Sequence, residues 1–214
     1  MRIHRLWSLR LGVLLSLATA LVLFITLSSA ASNGGAQHVR WDIVSLTGLP
    51  PASGTIINPG GQASATAPNG GDTITLTGSG TFVAPASGGG SNAVTGGGTW
   101  ETCSGTLTQC SPATATASGT YTVTGLVSWE SAGPQANVGF IDNIDEGTRT
   151  NGAAVLTIAF SDGAQGVLTI GCHGPGAPAG IFEGIATTKG YKTFYTVQPP
   201  SGSVDANRTI FHVR

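Results

Sequence analysis

Charged residues are scarce in this sequence, and its basic residues do not cluster. Asp, Glu, Lys and Arg together make up 9% of the 214 residues. Three of the nine Lys and Arg lie before residue 11, so 32–214 holds six against ten Asp and Glu, a net charge of −4. Proteins that bind nucleic acid need basic patches to neutralise phosphates. We therefore expect no nucleic-acid partner.

Long apolar runs are also absent, apart from one near the N-terminus. The run spans 11–27, three arginines precede it, and the small residues of 28–31 follow it. This pattern is typical of a cleaved signal peptide. We predict a signal peptide over 1–31 and a single secreted, extracytoplasmic domain over 32–214. The alternative is an uncleaved run that anchors the chain in a membrane, since a spanning helix needs about 20 apolar residues.

Cysteine occurs only three times. Cys103 and Cys110 are close in the chain, and export makes their oxidation favourable, so we predict a disulfide that closes a loop or hairpin. Cys172 is left without a partner. Because it alternates with Leu168 and Ile170, we predict a buried free thiol.

No segment of 32–214 shows the 3.6-residue apolar period of an amphipathic helix, whereas many segments alternate with a period of two. We predict hairpins where Asn69-Gly70-Gly71-Asp72 and 161–165 supply turn residues. The predicted strands are 38–45, 62–67 (an edge strand), 72–83, 93–101, 120–130, 138–141, 153–160, 166–172, 181–185, 191–197 and 207–213. Residues 54–61 are predicted to be a turn-rich link.

Glycine is abundant, and it recurs in a three-residue pattern of Gly, Thr and an aromatic residue. The copies are Gly80-Thr81-Phe82, Gly98-Thr99-Trp100 and Gly119-Thr120-Tyr121. Neighbours in a strand point to opposite faces, so the threonine and the ring cannot line one site. The glycines make room for a neighbour's ring or let the sheet coil. We predict an all-β fold, an antiparallel β-barrel of about eight strands, with a two-sheet β-sandwich as the alternative.

These strands, together with three C-terminal stretches, resemble a group of exported bacterial all-β proteins of unassigned function. The stretches are Gly180-Ile181-Phe182-Glu183-Gly184-Ile185, Thr188-Lys189-Gly190-Tyr191 and 207–213. The resemblance covers most of 32–214 and implies a shared fold. It supplies no catalytic residues.

Four side chains near the C-terminus are candidates for acid–base chemistry: Glu183, Lys189, Tyr191 and His212. Glu183 shares a strand face with two isoleucines, so its carboxylate needs a partner if that face is buried. Lys189 or Arg208 could supply one, and a structural ion pair is the preferred interpretation. The alternative is a general acid in a cavity.

Metal and cofactor chemistry has little support in the sequence. His38, His173 and His212 are the candidate ligands, and the first and last of them lie on terminal strands that we expect to meet. No metal-binding spacing supports such a site. Cys172 and His173 point to opposite faces of a strand and cannot pair. The acidic segment 142–147 is interpreted as a solvated loop rather than a calcium site, and we predict no cofactor.

The predicted function is a secreted or cell-surface, non-enzymatic domain that binds a small apolar ligand or a protein partner at the barrel mouth. The alternative is a small-barrel enzyme of the isomerase or lyase type. The interior of the barrel distinguishes the binding domain from the enzyme. A deep cavity with convergent polar groups would favour the enzyme. An interior filled by Phe82, Trp100, Tyr121 and Trp129 would exclude both ideas and leave a protein that interacts through its surface.

Overall fold

The fold is built from β-strands. The computed structural model describes residues 35–48, 54–68, 71–85, 89–197 and 207–214, so the predicted signal peptide lies outside the described residues. The described part contains no α-helix. Its strands are β1 (Gln37–Thr47), β2 (Ile56–Pro59), β3 (Ala63–Thr66), β4 (Thr73–Leu76), β5 (Ser79–Ala84), β6 (Val94–Cys103), β7 (Ala117–Pro134), β8 (Ile141–Asp142), β9 (Thr148–Phe160), β10 (Gln165–Cys172), β11 (Gly184–Lys189), β12 (Lys192–Phe194), β13 (Thr196–Val197) and β14 (Arg208–Val213).

Six of these strands close into an antiparallel barrel. The order around it is β9, β14, β1, β5, β6 and β7, and β7 pairs again with β9. Trp41 on β1 lies opposite Phe211 on β14, and Tyr121 on β7 lies opposite Phe160 on β9. The prediction of an all-β antiparallel barrel is confirmed. The closed ring has six strands rather than about eight because the remaining strands extend the sheet outside it.

The extra strands continue the sheet from three barrel strands. β10, β11 and β12 follow outward from β9, while β4, β3 and β13 follow from β6. β2 pairs with the end of β1, and β8 pairs in parallel with β2. Two predictions are corrected here. Residues 54–61 are not only a link, since they include β2, and β3 is not an edge strand, since it pairs with both β4 and β13.

The strand predicted over 72–83 is divided at Thr77 and Gly78 into β4 and β5. Both halves pair with β6, but β4 turns its other edge to β3 and β5 turns its other edge to β1. Gly78 has φ = 144°, in the region where glycine is favoured. Because of this break, one continuous β6 pairs with β5 inside the barrel and with β4 outside it.

The C-terminal strands are also divided or shifted relative to their predicted bounds. β11 begins at Gly184, so 181–183 is not a strand, and 191–197 forms the two short strands β12 and β13. Only Ile141 of the predicted 138–141 strand belongs to a strand, β8. Both hairpins are confirmed as pairs, β3 with β4 and β9 with β10. Asn69 and Gly70 of the first turn lie outside the described residues.

Aromatic rings fill the core, as the alternation predicted. Phe82 and Trp129 lie 5.6 Å apart between ring centroids, and Trp129 and Phe211 lie 4.6 Å apart, both in edge contacts. Trp100 meets Phe160 at 5.9 Å. Offset and edge-to-face ring pairs are favourable beyond the area they bury. Phe82, Trp100, Tyr121 and Trp129 are all buried, so these four rings pack the barrel interior.

The glycines of the three-residue pattern sit where another group approaches closely. A Cβ atom on Gly80 would lie 2.9 Å from Nε1 of Trp41 and 2.2 Å from the carbonyl oxygen of Thr95. One on Gly119 would lie 2.9 Å from Nε1 of Trp100. The prediction that these glycines make room for rings is confirmed for Gly80 and Gly119, whereas a Cβ on Gly98 would meet the backbone of Thr77 and Gly78 instead of a ring.

The predicted disulfide between Cys103 and Cys110 is present, with the two Cα atoms 5.7 Å apart. The loop it closes covers the second face of β4. Thr73 Oγ1 donates a hydrogen bond to the carbonyl oxygen of Gly105 (2.7 Å), and the Cys110 N–H donates to Thr75 Oγ1 (2.7 Å). Buried hydroxyls need such partners, so the loop's conformation and the burial of β4 depend on each other.

Replacing both Cys103 and Cys110 by serine is expected to lower the free energy of unfolding by about 2 kcal/mol, because the short loop regains chain entropy when unfolded. Urea unfolding followed by tryptophan fluorescence measures the change. The control is reduction with dithiothreitol, which should lower the stability of the wild type by a similar amount and leave the double variant unchanged. Equal stability of the oxidised wild type and the variant would contradict the prediction.

Candidate functional site

A cavity of about 590 Å³ lies on the outer face of β1 and β14, outside the barrel core. We call it the outer cavity. Ile210 of β14 lies opposite Asp42, and Val44 of β1 lies opposite Arg208, which places these side chains on the face away from Trp41 and Phe211. The outer cavity is lined by Val44, Leu46, Ile57, Gln135, Ala136, Val138, Phe140, His173, Gly174, Pro175, Gly176, Ala177, Glu183, Arg208, Thr209 and Ile210.

One side of the outer cavity is apolar. Val44, Leu46, Ile57 and Ile210 form a second hydrophobic cluster, separate from the barrel core, and Phe140 packs against it. The pairing of β2 with β1 brings Ile57 opposite Leu46. Burying apolar surface is favourable at about 25 cal/mol per Å², so this wall suits the apolar part of a ligand.

Glu183 lies at the polar end of the outer cavity, just before β11. Its Oε1 accepts a hydrogen bond from the Thr209 N–H (2.8 Å), and its Oε2 accepts one from the His173 N–H (2.5 Å). Burial raises the pKa of Glu183 to about 7, although these two N–H groups and the charge of Arg208 oppose the rise. Its charge therefore changes near neutral pH.

The ion pair predicted for Glu183 does not form. Arg208 is close enough for its charge to lower the pKa of Glu183, but the two side chains make no salt bridge. Lys189 instead pairs with Asp162, and its Nζ lies 4.2 Å from the ring centroid of Trp100. Glu183 is held by backbone N–H groups because 181–183 leaves the strand register and turns the carboxylate toward β14.

Arg208 and His173 complete the polar end. Among the described residues, the Arg208 side chain makes no hydrogen bond or ion pair. His173 is exposed, and its Nδ1 lies 2.8 Å from the carbonyl oxygen of Ile181. When Nδ1–H donates to that oxygen, a neutral imidazole presents Nε2 as an acceptor. The polar end of the outer cavity therefore contains the Arg208 guanidinium, the Glu183 carboxyl group and the His173 imidazole.

Cys172 lies beneath this end as the buried free thiol that the alternation predicted. Gln135, which also lines the outer cavity, donates a hydrogen bond from Nε2 to Cys172 Sγ (3.2 Å). Burial and the nearby charge of Glu183 raise the pKa of the thiol well above its usual range. The nucleophilic form is the thiolate, so Cys172 is not placed to act as a nucleophile.

The structure does not bring the four sequence-predicted catalytic candidates together. Tyr191 is 95% exposed on the turn before β12, and Lys189 packs over rings on another side of the sheet. His212 is buried on β14, and its Nε2 lies 2.8 Å from Asp142 Oδ2. Of the four, Glu183 alone lines the outer cavity.

The candidate metal ligands are separated as well. β1 and β14 pair as expected, yet His38 is exposed while His212 is buried against Asp142, and His173 lies at the outer cavity. Within the described ranges, no group of three or more His, Cys, Asp or Glu is arranged to hold a metal ion.

The acidic segment 142–147 is solvated as predicted, since none of its residues is buried, and Asp142 and Glu146 also form ion pairs. Glu146 pairs with Arg40 and with Arg214, and Asp142 pairs with His212. Asp142 Oδ1 also accepts hydrogen bonds from the N–H groups of two following residues. These contacts fix the loop that carries Phe140 onto the outer face of the barrel.

Comparison of the chain with protein-family models, curated proteins and solved structures finds no match. The resemblance to exported bacterial all-β proteins therefore stays a prediction. In the described part of the chain, no helix is both long enough and apolar enough to cross a membrane.

The sequence interpretation missed the outer cavity because it looked for a site inside the barrel. Arg208 appeared only as a partner for Glu183. A signal was present in β1, where Val44 and Leu46 place apolar side chains on the face that also bears Arg40 and Asp42. Apolar residues on both faces of a strand indicate that both are covered, and here Phe140 and Ile144 of one loop pack on the second face.

Proposed function

We propose that this protein is a secreted, non-enzymatic domain that binds a small, largely apolar ligand in the outer cavity. The observation behind the proposal is a cavity of about 590 Å³ with an apolar wall and a few polar groups at one end. Ligand pockets usually measure about 300–1,000 Å³ and have this arrangement. Secretion is supported by the disulfide, which persists in oxidising compartments.

Straight-chain alcohols test the proposal. Each added methylene that enters the apolar wall should tighten binding about fourfold, since burying one contributes about 0.8 kcal/mol. Isothermal titration calorimetry from hexanol to decanol measures the dissociation constants. Ala177→Trp should occupy part of the outer cavity and weaken decanol binding by about tenfold or more.

The matched control is Ala113→Trp, which adds the same ring to an exposed loop residue that does not line the outer cavity. It should bind decanol as the wild type does. Unchanged affinity in Ala177→Trp, or no increase of affinity with chain length, would count against the proposal.

An enzyme is the second candidate, and one observation favours it: a cavity carboxyl group whose pKa is raised to about 7. General acids and bases work best with a pKa near the operating pH. An isomerase of this kind would exchange substrate hydrogen with deuterium from solvent, and Glu183→Gln would stop the exchange. We rank it second because both carboxylate oxygens already accept backbone hydrogen bonds.

A protein partner is the remaining alternative. The exposed large apolar side chains of the described residues are Val127, Ile141, Tyr191 and Tyr195. They lie on three separate segments of the chain, β7, β8 and the region around β12. The outer cavity gathers more apolar side chains in one place, so the small-ligand proposal ranks above the protein partner.

A further inference from the structure

Arg208 is a charged side chain at the wall of the outer cavity, and its charge acts on Glu183 without forming a salt bridge with it. The other described arginines have structural contacts: Arg40 with Asp42 and Glu146, Arg214 with Glu146, and Arg149 with the ring of Phe140. The Arg208 side chain makes no hydrogen bond or ion pair within the described residues, and it borders a mostly apolar space. A guanidinium beside apolar walls is favourable when an anion pairs with it.

We propose that the ligand of the outer cavity is an amphiphilic monocarboxylate whose head group pairs with Arg208 and whose apolar body lies against Val44, Leu46 and Ile210. The inference rests on the proposed function and names its ligand class. A planar guanidinium presents two parallel N–H donors that match the two oxygens of a carboxylate. Arg208 and Ile210 lie two positions apart in β14 and so share one face of the strand. The site for the carboxylate is therefore next to the site for the apolar body of the ligand.

The surrounding charges favour an anionic head over a cationic one. The titratable and charged groups at this end of the outer cavity are Glu183, His173, the buried thiol of Cys172 and Arg208. Glu183 has a pKa of about 7 and is therefore partly protonated near neutral pH, which weakens its attraction for an ammonium group. Arg208 would also repel a cation.

Glu183 should couple binding to a proton. When ionised it repels a carboxylate head group, and when protonated it does not. Because its pKa lies at about 7 in the empty cavity, a bound anion should raise that pKa further and binding should take up a proton near neutral pH. A fatty carboxylate stays ionised across this range, since carboxyl groups in water have pKa values near 4.

The test compares decanoate with decanol on the intact domain by isothermal titration calorimetry at pH 6 and pH 8. We expect decanoate to bind about tenfold or more tightly than decanol at pH 6, since charge-assisted hydrogen bonds are the strong ones. Arg208→Met should remove that advantage and leave decanol within about threefold of the wild type. Arg208→Lys should restore part of it, since it keeps the charge but not the paired donors.

The controls separate this site from general charge effects. Lys192→Met removes an equal charge from an exposed side chain outside the outer cavity and should bind decanoate as the wild type does. Glu183→Gln should reduce the difference between pH 6 and pH 8. Circular dichroism of each variant confirms that it folds.

The outcomes distinguish the two proposals. If neither decanol nor decanoate binds, the proposed function fails. If decanol binds and decanoate binds no better, or if Arg208→Met and Lys192→Met lose decanoate equally, the carboxylate assignment alone is overturned. Tighter binding of decyl phosphate than of decanoate would also overturn the assignment, in favour of a phosphate head group.

Discussion

Gly98→Ala is expected to destabilise the domain by about 3 kcal/mol or more and to leave little folded protein. An alanine Cβ there would lie 2.0 Å from the carbonyl oxygen of Thr77 and 2.7 Å from Cα of Gly78. Overpacking a relaxed core costs about 1–3 kcal/mol, and these neighbours are backbone atoms with little freedom to move. Since a domain is stable by only about 5–15 kcal/mol, such a loss is a large fraction of the total.

The peptide at Thr77 and Gly78 cannot retreat because it is held from three sides. Tyr121 Oη donates to the Thr77 carbonyl oxygen (2.8 Å), the Ile43 N–H donates to the Gly78 carbonyl oxygen (2.9 Å), and the Thr77 N–H donates to Thr99 (3.1 Å). This is also the point where β4 ends and β5 turns to pair with β1. A side chain on Gly98 would therefore oppose closure of the barrel.

Urea unfolding followed by tryptophan fluorescence measures the effect. Gly35→Ala is the matched control, because a Cβ there meets nothing within 4 Å, and its free energy of unfolding should change by less than about 0.5 kcal/mol. The prediction would be wrong if Gly98→Ala unfolded at the same urea concentration as the control.

The second large effect is a dependence of stability on pH that arises from Glu183. Its pKa is about 7 in the folded protein against an ordinary value of 4.5. Between these pH values the folded chain holds a proton that the unfolded chain releases. Stability should therefore fall as pH rises from about 4.5 to 7, and the full loss, about 3 kcal/mol, is present above pH 7.

Glu183→Gln isolates this contribution, because an amide does not titrate. Urea unfolding of both proteins at pH 5, 6, 7 and 8 should show their difference shifting by about 3 kcal/mol in favour of the variant as pH rises. A constant offset can remain, since the amide has one acceptor for the two N–H groups of Thr209 and His173. The prediction is therefore tested by how the stability difference between the two proteins changes with pH.

Glu130→Gln serves as the control for that experiment, since Glu130 is exposed on β7. Its stability should depend on pH as that of the wild type does. Both proteins should lose stability at low pH through acids such as Asp142, whose pKa is lowered by His212 and by backbone N–H groups. A Glu183→Gln profile parallel to that of the wild type would show that the carboxyl group is not desolvated as described.

The pH effect connects stability to the proposed ligand. An ionised carboxyl group in a poorly solvated place costs folding free energy, and the fold retains it at the wall of a cavity. Residues that lower stability are often found at functional sites. Glu183 and the unpaired Arg208 are two such groups at the same end of the outer cavity.

Much of the fold could be predicted because strand geometry is local. A period of two places Ile74, Leu76 and Phe82 on one face whatever the partners of the strand are, and all three are buried. The disulfide and the buried thiol followed from sequence separation and alternation. Glycines next to rings were identified because a missing Cβ has few other uses in a strand interior.

The number of barrel strands, the division of 72–83 and the position of the site were decided by pairing between distant segments. Hydrogen bonds between β1 and β14 join residues about 170 positions apart, and no local pattern records which edge a strand will meet. The aromatic rings fill the barrel interior, as one of the two predicted outcomes required. The outer cavity lies on the other face of β1 and β14, which the sequence analysis did not examine.

By itself, the sequence determined that this is an all-β domain with an aromatic core, one disulfide and one buried thiol, because each depends on residue type and spacing along one segment. Only the tertiary structure decided that Glu183, His173 and Arg208 share one end of an apolar cavity. They lie on three segments that become neighbours when β14 pairs between β9 and β1, and Lys189, Tyr191 and His212 do not line that cavity.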